Sequence, residues 1–224
     1  MADIKCVIFD LDDTLYNEIK YVECAFWNVA VYLSKKYSVS ADEFYKKMIE
    51  MLNNNGRGRI FDDVIKCFDL QENPKSLVEV YRSTLPKLDL YEDAKKCIEI
   101  LKKKQIKLGI ITDGCSQVQH NKIKGLGLDE IVDCIIVTDD YTDAAKPSVI
   151  AYNLVMEKLE IKNPCNCIYV GDNPEKDFIG ARKVGMHTVR IVRKEGMFMG
   201  VKEKQGYEAD YTIQNLQEIL TVNY

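Results

Sequence analysis

The chain has 224 residues, 46% of them hydrophobic, enough to bury a core in one large domain or in a domain carrying a smaller inserted one. Charged side chains make up 29%, spread along the chain, and the formal net charge of −4 argues against nucleic acid or a membrane surface as partner, since both need a basic patch. No apolar run approaches the ~18 residues of a membrane span, the start lacks a signal-peptide pattern, and the eight cysteines read as reduced thiols, so a cytoplasmic protein is expected.

Lys5 to Phe9 is a short apolar, β-branched run that ends in an acidic turn, the mark of a buried strand. From about residue 18 to residue 85 the periodicity is helical. Tyr21, Val22, Ala25, Phe26, Val29 and Leu33 recur at helix spacing, and Phe26, Trp27 and Tyr32 are expected in the core of this block. Ser40 with Glu43 three residues on predicts a capped helix that Asn53-Asn54-Asn55-Gly56 ends. Further helices are expected around 61–68 and 76–85. After Tyr91 the pattern alternates: a helix over 93–104, a strand over 107–111, a helix ending near Gly125, and a strand over 134–137. It continues with a helix over 149–159, a strand over 167–170, a helix over 175–184, a strand over 188–192 and a weaker strand-helix unit over 211–220. Alternation of this kind predicts an α/β fold, a doubly wound parallel sheet, with residues 1–16 and 87–224 as the core and 17–86 as an all-helical insertion.

Ligands of open parallel sheets bind beyond the carboxyl ends of the strands. There the chain carries Asp10-Leu11-Asp12-Asp13-Thr14, then Thr112-Asp113-Gly114, then Thr138-Asp139-Asp140 with Lys146-Pro147 a few residues on, then Gly171-Asp172 with Asp177. Carboxylates gathered at one sheet edge repel one another unless a cation neutralises them. Oxygen ligands without histidine or cysteine favour magnesium (Mg2+) over zinc, and magnesium is commonly shared with a substrate phosphate. Cys165 and Cys167 have no second pair to complete a zinc site.

These four motifs, in this order and each behind a predicted strand, resemble the haloacid dehalogenase-like superfamily over nearly the whole chain. The helical block between the first two motifs resembles that family's cap. The resemblance implies a magnesium-dependent phosphatase with Asp10 as the transiently phosphorylated nucleophile. It implies Asp12 as an acid, held protonated, that then serves as base, and Thr112, Lys146 and the amides near Asp113 and Gly114 as holders of the phosphoryl group. Asp10, the backbone carbonyl of Asp12, and Asp172 would bind the metal, with Asp177 behind them orienting a water on it. An acid at position 12 favours transfer of phosphate to water over halide displacement. A phosphomutase shares that acid and is the nearer alternative; a phospho-acceptor or non-catalytic binding module is the more distant one.

A cap suits a small phosphorylated metabolite, a sugar phosphate or nucleoside monophosphate, and the chain is expected as a monomer or weak homodimer. Arg57 and Arg59 lie in a loop of the helical block that either reaches an anionic substrate or is simply solvated. Tyr16 and Asn17 near the start of that block are equally open between substrate contact and structure. His120 and His187 belong to no motif.

Overall fold

A computed structural model describes residues 3–222 and residue 224. The chain folds into two compact units, Met1–Glu18 with Asp89–Tyr224 in one, and Ile19–Leu88 in the other. Both borders of the smaller unit lie two residues later in the chain than those of the expected 17–86. Asn17 and Glu18 stay with the larger unit, where the Asp13 carboxylate accepts from the Glu18 amide at 3.0 Å.

The larger unit is a six-stranded sheet of β1 (Cys6–Phe9), β2 (Lys107–Thr112), β3 (Cys134–Val137), β4 (Cys167–Gly171), β5 (His187–Ile191) and β6 (Tyr211–Ile213), in the order β3-β2-β1-β4-β5-β6, all parallel. Every residue of β1 is fully buried, which is why the central strand reads as an unbroken apolar run rather than an alternating one. Cys6 and Ile8 pack with Tyr152, Val155, Phe178 and Ala181 in one buried cluster. The weak strand-helix unit at the C-terminus is β6 followed by a 3-10 turn over Leu216–Leu220, started by a capping box between Asn215 and Glu218. The eight cysteines are free thiols.

The smaller unit holds α1 (Ile19–Ser34), α2 (Ala41–Asn55), α3 (Ile60–Cys67) and α4 (Pro74–Arg82). Ser40 caps α2 by accepting from the Glu43 amide at 3.2 Å, and Gly56, at φ 71°, ends it. Val22, Phe26, Val29 and Leu33 of α1 face Phe44 and Met48 of α2 and Leu77 of α4 in a continuous apolar core. Trp27 departs from expectation. It is 41% exposed and lies edge-on to Tyr45 at 5.7 Å, because the residue after Phe26 is turned about 100° away from the buried stripe. Tyr32 packs against this core only partly buried. Among the described residues no helix is long and apolar enough to cross a membrane.

In chain order the larger unit adds α5 (Glu92–Lys103), α6 (Ser116–Gly125), α7 (Ile150–Lys158) and α8 (Asp177–Val184). Register decides where chemistry can occur. Phe9 pairs with Ile110 on one side and Val170 on the other. The residues just past these partners therefore share one edge of the sheet, at the point where strand order departs in both directions from β1.

Candidate active site

Asp10 is the first residue beyond β1, and its amide donates to the Val170 carbonyl at 2.8 Å, so the backbone is still in register as the side chain turns into the crevice. Asp172 follows β4, and Asp177 opens α8. Oxygens of these three buried aspartates all lie within 4.8 Å of one another. Lys146 enters the group from the loop after β3. Its buried ammonium donates to Asp10 Oδ1 at 2.8 Å, to Asp177 Oδ1 at 2.7 Å and to the Tyr169 hydroxyl at 3.0 Å. Asp177 also accepts from the Asn173 amide at 2.8 Å through its other oxygen. Gly171 makes this closeness feasible: a Cβ there would come within 2.7 Å of the Asp177 carboxyl carbon.

The electrostatics follow from that crowding. Burial, joined by repulsion from Asp177, raises the Asp10 carboxyl to about 7 although Lys146 pulls it down. Burial and the charges of Asp10, Asp177 and Asp13 raise Asp172 to about 9. Burial works against the charge on Lys146, but Asp10, Asp177 and Asp113 outweigh it and hold the ammonium well above its ordinary range. Once fully ionised, the three carboxylates (−3) against one ammonium (+1) leave −2, and the donors are hard oxygens, so the group fits a divalent cation.

Asp12 has a different setting. Its Oδ1 accepts from the Tyr16 hydroxyl at 2.6 Å and from Lys122 Nζ at 2.8 Å; its Oδ2 accepts from Gln119 Nε2 and from Lys122 Nζ, both at 2.9 Å. Burial would raise this carboxyl, but Lys122, Tyr16 and Gln119 together hold it below the ordinary carboxylate value. The expectation of a protonated Asp12 is therefore not met in this geometry, because the donors around it select the ionised form. Its carboxylate is also outside the metal-competent trio.

Thr112, at the end of β2, is buried and its hydroxyl oxygen accepts from Gln119 Nε2. The Asp113 carboxylate accepts from Thr138 Oγ1 at 2.8 Å, the Lys146 amide at 3.1 Å and Lys176 Nζ at 2.9 Å, and so secures the loop that carries Lys146. Burial opposes the charge on Asp113, yet Lys146 and Lys176 hold its carboxyl below the usual value. Gly114 sits at φ +131°, a conformation that favours glycine. Asp13, at φ 52°, accepts from the Glu18 and Met197 amides at 3.0 Å and serves the turn.

Of the sequence-predicted residues, Asp10, Lys146, Asp172 and Asp177 form one group and Asp12 and Thr112 another, while Asp113 bonds the Lys146 amide and Gly114 lies against Gln119. Gln119, Lys122, Tyr169 and Lys176 were not foreseen. Gln119 and Lys122 are three residues apart on α6, directly behind the Thr112 loop. That spacing puts both on one helix face and is the signal that was available for them.

Residues 7–191 match the family described as haloacid dehalogenase-like hydrolase. The glyceraldehyde 3-phosphate phosphatase of Methanocaldococcus jannaschii is 29% identical over 98% of this chain and 96% of its own length. That of Pyrococcus furiosus is 31% identical over 99% of this chain and 94% of its own. The crystal structure of a HAD phosphatase from Thermococcus onnurineus superposes with a TM-score of 0.63 at 31% identity, covering 97% of each chain. A Bacillus subtilis HAD-hydrolase bound to magnesium shares the fold, with a TM-score of 0.72 at 20% identity over 97% of each chain.

Proposed function

The chain belongs to the haloacid dehalogenase-like hydrolases and is a phosphoric monoester hydrolase, and we propose that it frees inorganic phosphate from a small phosphorylated metabolite through an aspartyl phosphate on Asp10. The observation that carries this reading is Lys146, buried between Asp10 and Asp177 and beside Asp172 at the carboxyl edge of the parallel sheet. A lysine so placed balances the charge of a nucleophile and of the phosphate it attacks, which is most of what phosphoryl transfer requires.

The steps follow from the side chains. A carboxylate oxygen of Asp10 attacks phosphorus as the ester oxygen departs. The departing alkoxide takes a proton from Asp12. Asp12 is held ionised in the free site, so it first takes up a proton from a phosphate ester arriving as its monoanion, whose negative charge raises the proton affinity of Asp12. In the second step the Asp12 carboxylate takes a proton from water while the water oxygen attacks phosphorus, and the bond to Asp10 breaks. Thr112 and the amides near Asp113 and Gly114 hold the phosphoryl oxygens. Asp10 and Asp172, with the backbone carbonyl of Asp12, would hold Mg2+. Asp177 stays behind them, both its oxygens already accepting hydrogen bonds. When bound, the cation neutralises the crowded charge of nucleophile and phosphoryl group.

Glyceraldehyde 3-phosphate is the proposed substrate, because relatives matching nearly end to end carry that activity in their names. Phosphate release from glyceraldehyde 3-phosphate, glycerol 3-phosphate, phosphoglycolate and nucleoside monophosphates, measured with magnesium, tests it. The highest kcat/KM is expected on the three-carbon aldehyde ester. Uniform inactivity would overturn the enzyme reading, and an isomerised sugar phosphate without free phosphate would make the chain a mutase.

A further inference from the structure

We infer that Gln119, with Lys122 one helical turn on, is a positioning residue that locks the acid/base Asp12 to the phosphate-holding Thr112; this rests on the aspartyl-phosphate reading above. The Gln119 side-chain amide donates to both Asp12 Oδ2, at 2.9 Å, and Thr112 Oγ1. A primary amide has two hydrogens, so one planar group sets the separation of two groups that come from different strands. Gln119 is 1% exposed, and water cannot substitute for it without a cavity.

The consequence for Thr112 is a matter of direction. A hydroxyl has one hydrogen and two acceptor sites. With the Gln119 N–H filling an acceptor site, the Thr112 hydrogen is directed away from α6, toward the space where a phosphoryl oxygen must sit. For Asp12 the consequence is orientation: Lys122 spans both oxygens, at 2.8 and 2.9 Å, and Tyr16 closes the remaining side of Oδ1. Lys122 also lies 3.7 Å from Glu18 Oε1, so its ammonium is held from a second side. Gly114 belongs to the same device. A Cβ there would stand 3.3 to 3.4 Å from the Gln119 carboxamide, and the φ of +131° routes the chain around it. The clamp's hydrogen bonds run to the Asp12 carboxylate and the Thr112 hydroxyl, neither of which belongs to the trio of Asp10, Asp172 and Asp177, so the clamp acts on proton transfer and phosphate orientation.

The test compares Gln119→Leu, Lys122→Met and Asp10→Asn in the full chain, each checked for folding by thermal melting. Two esters separate the steps: glyceraldehyde 3-phosphate, whose alkoxide needs a proton, and p-nitrophenyl phosphate, whose leaving group does not. Both clamp variants are expected to lose about 100-fold in kcat on the alkyl ester. On the aryl ester they are expected to give a burst of about one nitrophenolate per enzyme followed by slow turnover, because only the water step still needs Asp12. Inhibition by inorganic phosphate should weaken in Gln119→Leu, where Thr112 loses its orienting donor, and hold in Lys122→Met. Should Gln119→Leu fail to fold, Gln119→Met keeps a similar length, removes the donors and is held to the same outcome. Equal losses on the two esters without a burst, or unchanged kinetics on both, would overturn the clamp. Turnover surviving in Asp10→Asn would instead overturn the nucleophile assignment, so the two failures are distinguishable.

Discussion

Asp10 and Asp12 stand two residues apart, each meets a buried lysine at 2.8 Å, and yet their carboxyls are driven in opposite directions. Lys146 is divided between Asp10 and Asp177, with Asp172 alongside, so one ammonium serves three carboxylates and burial prevails. Lys122 contacts both oxygens of Asp12, and Gln119 and Tyr16 add donors, so the donors prevail over burial. A lysine beside an aspartate does not by itself settle the charge of that aspartate; the ratio of donors to carboxylates does. The first arrangement is short of positive charge and suits a cation and a phosphate. The second is already saturated and suits a group that must stay oriented.

The widest separation between the two regions should be kinetic. Asp10→Asn removes the proposed nucleophile and is expected to lower kcat by at least about 10^4-fold. Asp12→Asn leaves Asp10 in place and is expected to cost about 10^2 to 10^4-fold. Steady-state phosphate release measures both, and a larger loss at Asp12 than at Asp10 would break the comparison. Lys146→Met leaves three buried carboxylates without their shared ammonium. A stability loss of about 3 to 5 kcal/mol is expected by chemical denaturation without metal, smaller where the pH allows the carboxyls to protonate. Gly171→Ala forces a methyl against Asp177 and is expected to cost about 1 to 3 kcal/mol, read the same way.

The pH dependence carries a sign that differs between the regions. Asp10 at about 7 and Asp172 at about 9 keep their protons in the folded state after the unfolded chain, at the ordinary 3.8, has shed them. The folded state then binds more protons than the unfolded one, so metal-free stability falls as pH rises from 3.8 through 7 toward 9. Asp12, held below 3.8, contributes stability that is present above that value and lost only as pH falls below it. Magnesium should oppose the first effect alone. Its increment in Tm, measured with and without chelator, is expected to be near nil at pH 5 and to grow toward pH 9. An increment independent of pH would contradict the crowding argument.

Much of this architecture is legible in the amino-acid sequence. The strand at Cys134–Val137 fell where its apolar run ended, and Asp10, Thr112 and Asp172 could be placed on one edge because each follows such a run. In the second region Asp12 and Thr112 were legible but their partners were not, because Gln119 and Lys122 occupy a weakly amphipathic helix on which a buried glutamine and lysine look like surface residues. Trp27 departs from expectation for a related reason: tryptophan is apolar, but only the helix phase set by Phe26 and Val29 says which way it points. The protonation of Asp12 depended on neighbours more than 100 positions away in the chain.

The most direct measurement is acid quench of the enzyme during turnover, followed by mass spectrometry of its peptides. One added phosphoryl group is expected on the peptide that contains Asp10, accumulating further when Asp12 is replaced by asparagine and the substrate is p-nitrophenyl phosphate, and absent when Asp10 is replaced. A phosphoryl group on any other residue, or steady turnover with none on the enzyme at any time point, would contradict the account.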